Sequence, residues 1–530
     1  MLNAIELSVF VSRCSSICDE MGSTLRASAF SPNIKDRLDY SCALFDSNGQ
    51  MLAQAAHVPV HLGSMAFAMR SVIESVSFAP GDELIWNDPF LGGTHLPDVT
   101  LVRPVFVDSQ LVGFVANRAH HAQIGTETPG SMPLSCNVAE EGLLIAPRLL
   151  RRAEKIDEAT LLYLTQALGA STAADLAAQS SANRIGVNRV VTLIESLTVS
   201  GFNDAVAQLN DYGRTMAEAG IERIPDGEYA FQDQMDSDGQ GSAPSRICLT
   251  VKVAKGRLQA DFSGTSRGVA GNINCPITVT AAAVFYAVRC LLPEGTPACA
   301  GTFDAVAVKA APGSLVHAER PSATAAGNVE TSMRIVDCML GALAKALPGE
   351  IPAASQGTMN NVAMGERKRW DYYETLGGGT GASAAGPGID AVQSHMTNTL
   401  NTPIEVMESN FPIEILSYRV RRRSGGIGRH RGGDGLERSY RFLAPTEVTL
   451  ITERRQSAPW GLAGGHQGER GENSLDGEVL ADKAQLRVEA GQVLRILTPG
   501  GGGWGESKVS RQETCGPFVS RIVKQGKIKF

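Results

Sequence analysis

The sequence predicts an α+β protein of several packed units, whose C-terminal part is nearly all strand. Three observations carry this reading. Segments rich in Ala, Leu and Gln with apolar residues at helical spacing alternate with short runs of β pattern. Turn residues, Asn-Gly above all, separate paired apolar runs. Glycine is enriched, at 56 of 530 residues, and concentrates after residue 370, where short strands are joined by tight turns. A chain of 530 residues exceeds one ordinary core, so roughly two to four units are expected.

In chain order, residues 2–28 read as a helix, because Ile17, Met21 and Leu25 recur on one face. The run YSCALFD, then Ser47-Asn48-Gly49, then QMLAQA reads as a hairpin in which both Asn48 and Gly49 take positive φ. VTLVRPVFV and LVGFVAN form a second hairpin around Asp108-Ser109-Gln110, with Val107 facing Leu111. Residues 155–225 are mostly helical, 228–265 return to strands, 276–293 and 328–346 are helical, and strands dominate from about 400. The expected organisation is a metal-site region with β-hairpins over 1–150, a mainly helical region over 151–227, a mixed α/β region over 228–400, a β-rich region over 401–505 and a disordered tail over 506–530.

Composition excludes several classes. Apolar content of 43% and charged content of 19% are those of a globular chain. A net charge of -7 argues against a nucleic-acid or anionic-membrane partner, and Arg419–Arg423 (RVRRR) reads as a solvated face. Ten Cys without a CxxC pair read as reduced, mostly buried thiols of a cytoplasmic protein. Glu6 interrupts any leader-like stretch, and Ile277–Leu292 is too short and too polar to span a bilayer.

The chemistry gathers in one place. Of nine His, five lie between 57 and 121: His57, His61, His95, His120 and His121. His95 and Asp98 stand in GGTHLPD, just before the first strand of the second hairpin, and His120 ends its second strand. Facing positions in an antiparallel pair keep a constant sum, so Asp98 falls opposite His120. Two imidazoles and a carboxylate then converge at the open end of the hairpin. That mixed N/O set suits a divalent Zn, Mn or Fe ion, with Asp39 as a fourth ligand and further positions left open. Pro59 argues against a helix through HVPVH, so His57 and His61 read as supporting or purely structural residues.

Nucleotide chemistry has little support. No GxxxxGK[ST] occurs. A formal GxGxxG at Gly500–Gly505 is followed by too little chain for a βαβ unit and reads as a close turn. GGGTGA at Gly377–Ala382 reads as a flexible loop or an anion-binding nest. No GxSxG and no Cys in a nucleophile setting support covalent catalysis.

Long segments resemble the hydantoinase B and 5-oxoprolinase family: EMGSTLRASAFSPNIKDRLDYSCALFD, QAAHVPVHLGSM, NDPFLGGTHLPDVTLVRPVF, NRAHHAQIGTETPGSMP, AAGNVETSMRIVD, HMTNTLNTPIEVME and TPGGGGWG, in unbroken order from about residue 18 to 505. The resemblance implies ATP-dependent opening of a small cyclic amide, such as a hydantoin or 5-oxoproline. It implies a hetero-oligomer in which a hydantoinase A-type subunit uses ATP to phosphorylate the substrate oxygen. It places the metal ligands at Asp39, His95, Asp98 and His120, and sets His121 beside the metal as a catalytic residue that orients substrate or water. Asp98 or His121 would accept the proton. The related alternative is a component of an ATP-dependent carboxylase of ketones such as acetone or acetophenone. The Lys- and Arg-rich ending after Gly505 departs from the longer acidic tail expected of the family.

Overall fold

A computed structural model describes residues 2–55, 58–169, 171–367 and 369–507; His57 and all but the first two residues of the expected tail lie outside them. The chain opens on helix Ala4–Ser28. Asn3 caps it by accepting from the backbone N–H of Ile5 and Glu6, while Glu6 reaches back to the Asn3 N–H at 2.8 Å, a reciprocal capping box.

Seven strands then form one sheet: β1 (Tyr40–Asp46), β2 (Met51–Gln54), β3 (Glu83–Trp86), β4 (Asp98–Val107), β5 (Gln110–His120), β6 (Arg148–Arg152) and β7 (Lys155–Ile156), in the order β2-β1-β5-β4-β3-β6-β7. Every β1 residue is buried because both faces are covered. Cys42 and Leu44 pack beneath helices Ala4–Ser28 and Ser171–Glu195; Ala43 and Phe45 face Met65 and Met69 of helix Pro59–Glu74. A one-residue slip would exchange the two faces, so burial itself pins the register.

Two turns differ from expectation. In the first hairpin only Gly49 has positive φ, at 73°. Asn48 is spared because the Asp46 carboxylate accepts from the N–H of Asn48 and Gln50 and closes the turn. In the second, Asp108 and Ser109 both take positive φ (47° and 66°) and form a two-residue turn, so Val107 faces Gln110 and Phe106 faces Leu111. A bulge between Val105 and Phe106 absorbs the extra residue and restores the pairing, and Asp98 still meets His120. Pro59 does not prevent a helix either. It stands in the first turn of helix Pro59–Glu74, where a missing N–H costs nothing.

Helices Glu158–Leu168, Ser171–Glu195 and Thr198–Glu222 fill the predicted helical stretch. Strands 227–235, 245–254, 257–261 and 306–309 make a second sheet, and its core is shared with helices Ile277–Arg289 and Ser332–Ala346. A π-helical turn, Gly327–Thr331, leads into the latter. The third and fourth sheets pack face to face around Met364, Val448, Tyr440 and Phe442. The third sheet joins 361–366 and 370–375 to 446–451 and 483–488, across the boundary expected at 400.

The glycine tracts are irregular segments packed tightly against one another. A Cβ on Gly379 would lie 1.9 Å from the Gly433 carbonyl oxygen, and one on Gly501 2.0 Å from that of Thr380. The Gly501 N–H donates to Gly433, Gly433 to Thr380 and Gly426 to Gly501. These segments lie backbone against backbone, at a spacing that only glycine permits.

Candidate metal centre

The centre is built from the open end of the second hairpin and the loop preceding it. Asp98 and His120 are direct cross-strand partners. His95 reaches them because its loop is tied down on all sides. Asn87 donates to the Leu96 carbonyl at 2.7 Å, Thr278 to that of Gly93 at 2.8 Å and Arg118 to that of Gly92 at 3.0 Å. One ligand atom from each of His95, Asp98 and His120 lies within 4.8 Å of the others, and all three side chains are buried.

The donor atoms lack partners. Both ring nitrogens of His95, Nε2 of His120 and Oδ1 of Asp98 are buried without a hydrogen bond. His95 Nε2 lies 3.3 Å from Asp98 Oδ2, an ion-pair distance without hydrogen-bond geometry. Buried polar atoms are almost always satisfied. Orphaned atoms on three side chains that each bring one ligand atom to the same spot therefore fit a cation, and the N₂O donor set is one that zinc and similar ions accept.

Asp98 is the electrostatic centre. Its Oδ2 takes a hydrogen bond from Thr94 and faces His61 Nε2 at 3.2 Å, while His61 Nδ1 meets Ser41 Oγ at 3.0 Å. Burial alone would raise the Asp98 carboxyl, but His95 and His61 outweigh it and hold it well below the usual carboxylate range. Burial lowers His95, yet the Asp98 charge beside it raises it overall. Burial and then His95 keep His120 well below the ordinary imidazole range, so it stays in the neutral form that ligation needs. Burial raises the Asp39 carboxyl, with Arg37 opposing.

These side chains line a partly open cavity whose inner part, about 20 Å³, is the size of an ion or a water. Its walls include Asp39, His61, His95, Asp98 and His120, then Asn328, Val329, Met359, Tyr373 and Thr375, then Met396, Thr397 and Thr399. Asp39 thus faces the same space, although it stands outside the three-residue cluster. His121, expected beside the metal, turns away from this cavity. Successive residues alternate faces where a strand ends, and its Nε2 meets Gln179 Oε1 at 2.9 Å. His61 takes the place beside Asp98 instead. Tyr373, to which nothing in the sequence pointed, stacks on His120 with ring centroids 5.0 Å apart and planes 8° apart.

The sequence profile of the Hydantoinase B/oxoprolinase family matches residues 3–507. The chain belongs to that family. Among its relatives, an uncharacterized protein of Methanocaldococcus jannaschii is 39% identical over 95% of this chain and 91% of its own length. 5-Oxoprolinase 1 of Arabidopsis thaliana is 38% identical over 95% of this chain but 42% of its own length, so the chain spans about two fifths of that relative. A putative B-type component of a D-/L-hydantoinase from Pseudomonas sp. is 30% identical over 95% of this chain and 90% of its own. The crystal structure of an ATP-dependent caprolactamase from Pseudomonas jessenii superposes with a TM-score of 0.89 at 25% identity, covering 96% of this chain and 92% of the other. A nucleotide-free acetone carboxylase shares the fold, with a TM-score of 0.85 at 16% identity over 95% of this chain and 76% of its own. Among the described residues, no helix is long and apolar enough to cross a membrane.

Proposed function

We propose that this chain is the metal-binding catalytic component of an ATP-dependent cyclic-amide hydrolase, acting on a ring that a separate hydantoinase A-type subunit has activated by phosphorylation. The observation that carries the reading is the convergence of one ligand atom from each of His95, Asp98 and His120, three buried side chains with unpartnered polar atoms lining one cavity. Two relatives support the reaction class: the component named for a D-/L-hydantoinase and the caprolactamase named as ATP-dependent.

His95, Asp98 and His120 would hold the ion, and Asp39, just before β1 and lining the same cavity, completes the set. When bound, a divalent Zn, Mn or Fe ion supplies Lewis acidity, polarising an oxygen that it touches and acidifying water toward pKa ~7. His61 takes over the proton-accepting role for which Asp98 or His121 was expected. It faces the cavity and Asp98, and Ser41 sits behind it as the next hydrogen-bonding group. Val58, Val60, Val329, Met359 and Met396 make part of the remaining wall apolar, beside Asn328, Thr375, Thr397 and Thr399.

Two measurements test the reading. Elemental analysis of the purified chain should find about one divalent ion per protomer, lost from His95→Ala and His120→Ala while circular dichroism shows the fold retained. Together with an ATP-binding partner subunit, the chain should open a hydantoin or 5-oxoproline ring in proportion to ATP consumed. Metal retention in both variants sinks the site. Bicarbonate-dependent ATP turnover with acetone, and none with a lactam, sinks the hydrolase assignment in favour of the carboxylase.

A further inference from the structure

A buried guanidinium beside the centre lacks adequate partners. Arg37 is fully buried, yet every polar contact it makes is long. Its Nη1 lies 3.4 Å from Asn33 Oδ1, and its Nη2 lies 3.5 Å from both Thr375 Oγ1 and Thr399 Oγ1 and 3.9 Å from Asp39 Oδ2. Its Nε has no partner at all. Arg118, equally buried, closes three bonds of 2.8, 2.7 and 3.0 Å. A buried charge without good hydrogen bonds is costly, and proteins keep one where a ligand completes it.

Its surroundings say what that ligand is. The face of Arg37 is stacked on Tyr373, 4.7 Å from the ring centroid, so its N–H edge is the part left to bind. Asp39, Tyr373, Thr375 and Thr399, all in contact with Arg37, line the cavity, and Thr397 adds a third hydroxyl there. A guanidinium fork flanked by threonine hydroxyls is a receptor for a planar or tetrahedral oxyanion. Asp39 is a poor permanent partner at 3.9 Å, and less available still once it turns to a cation in the centre.

We propose that Arg37 binds an anionic oxygen group of the substrate, carboxylate or phosphoryl, in the space bounded by Asp39, Thr375 and Thr399. The inference rests on the proposed function for its setting, since it makes Arg37 the anchor that presents the activated ring to His95, Asp98 and His120.

Calorimetric titration of the full chain with inorganic phosphate and, separately, acetate tests it, in chelator-treated and zinc-loaded preparations whose metal content is measured. The chain should bind at least one of these anions saturably without metal. Arg37→Met should weaken that binding at least ten-fold, and Arg37→Lys should recover part of it. Phosphate alone identifies a phosphoryl group as the natural ligand, and acetate alone a carboxylate. Should Arg37→Met fail to fold, Thr399→Val carries the comparison, with weakening of several-fold expected. The proposal is overturned if the wild-type chain binds neither anion, or if a folded variant binds as tightly as wild type. Arg37-dependent binding in a chain that takes up no metal would leave this proposal standing and remove the hydrolase reading; the converse result would do the reverse.

Discussion

His120 Nδ1 lies 3.1 Å from the Asn33 side-chain amide, and this contact governs which ring nitrogen is free. For Nε2 to ligate a cation, Nδ1 must carry the proton, and a half-turn of the amide lets Asn33 accept it through oxygen. Asn33→Leu should therefore weaken zinc binding about 10- to 100-fold, whereas Asn33→Asp, acceptor-only, should hold or tighten it. Competition against a chromogenic chelator measures both. Glu330 offers a second test. Burial, then the Glu453 charge, pushes its carboxyl up to about 8, although Thr358, the Met359 N–H and Asn361 all donate to Oε1. A folded pKa above the unfolded value means stability that is full below the unfolded pKa of 4.5 and is lost as pH rises through about 8. Each pH unit in that window costs about 1.4 kcal/mol. Unfolding by urea between pH 5 and 8 should show this slope in the metal-free chain, and Glu330→Gln should flatten it. Asp98 and His120 were legible in the sequence because antiparallel pairing alone sets them opposite each other, and His95 because it stands three residues before Asp98. Tyr373, Asn328 and Thr399 were not, since they come from segments whose proximity only the finished fold creates.

At the scale of elements, the glycine layers and the π-helical turn are the unusual parts. Gly501→Ala would drive a methyl carbon to 2.0 Å from the Thr380 carbonyl oxygen, with backbone on all sides. A loss of more than about 4 kcal/mol is expected, enough to remove soluble protein at ordinary growth temperature. Gly386→Ala, with nothing within 4 Å of the added carbon, should leave the melting temperature unchanged. Differential scanning fluorimetry on the pair decides whether the layers are rigid packing or an adjustable loop. The tracts were visible as composition, but composition does not distinguish a mobile glycine run from one pressed against other backbones. Helix Pro59–Glu74 was hidden for a related reason: a proline breaks a helix from inside and begins one from its first turn, and only the position of the cap decides. The π turn Gly327–Thr331 supplies Asn328 and Val329 to the cavity and Glu330 to the network behind Tyr373. No local signal in GNVET marks the extra residue in that turn.

For the whole molecule, the proposed division of labour has a plain consequence. The chain carries no GxxxxGK[ST], and its glycine tracts are filled by their own backbone, so Mg-ATP should not bind to it alone. Calorimetry showing micromolar binding by the isolated chain would overturn the assignment of ATP to a partner. Passing a labile intermediate between two sites needs a lasting, largely apolar interface, so co-expression with the partner should give a stable hetero-oligomer. Light scattering behind size-exclusion chromatography should show it, and a monomer that opens a hydantoin ring unaided would defeat both claims. The α+β class and the order of the elements were readable from periodicity because each element buries its own stripe. The way the third sheet takes strands from either side of residue 400 was not, because strand order depends on contacts remote in sequence.

The walls of the cavity run from Asp39 to Thr399, and this sets a timetable. During synthesis the hairpin that bears Asp98 and His120 emerges early, while Tyr373, Met396 and Thr399 remain unmade for most of the chain's translation. Contacts of such long range form late, after the loops between them have been closed. On the proposed function, capture of an ion would therefore be one of the last events in maturation, coupled to the arrival of the C-terminal segments. Metal supplied to the growing culture should then give fuller loading than metal added to the finished, closed protein.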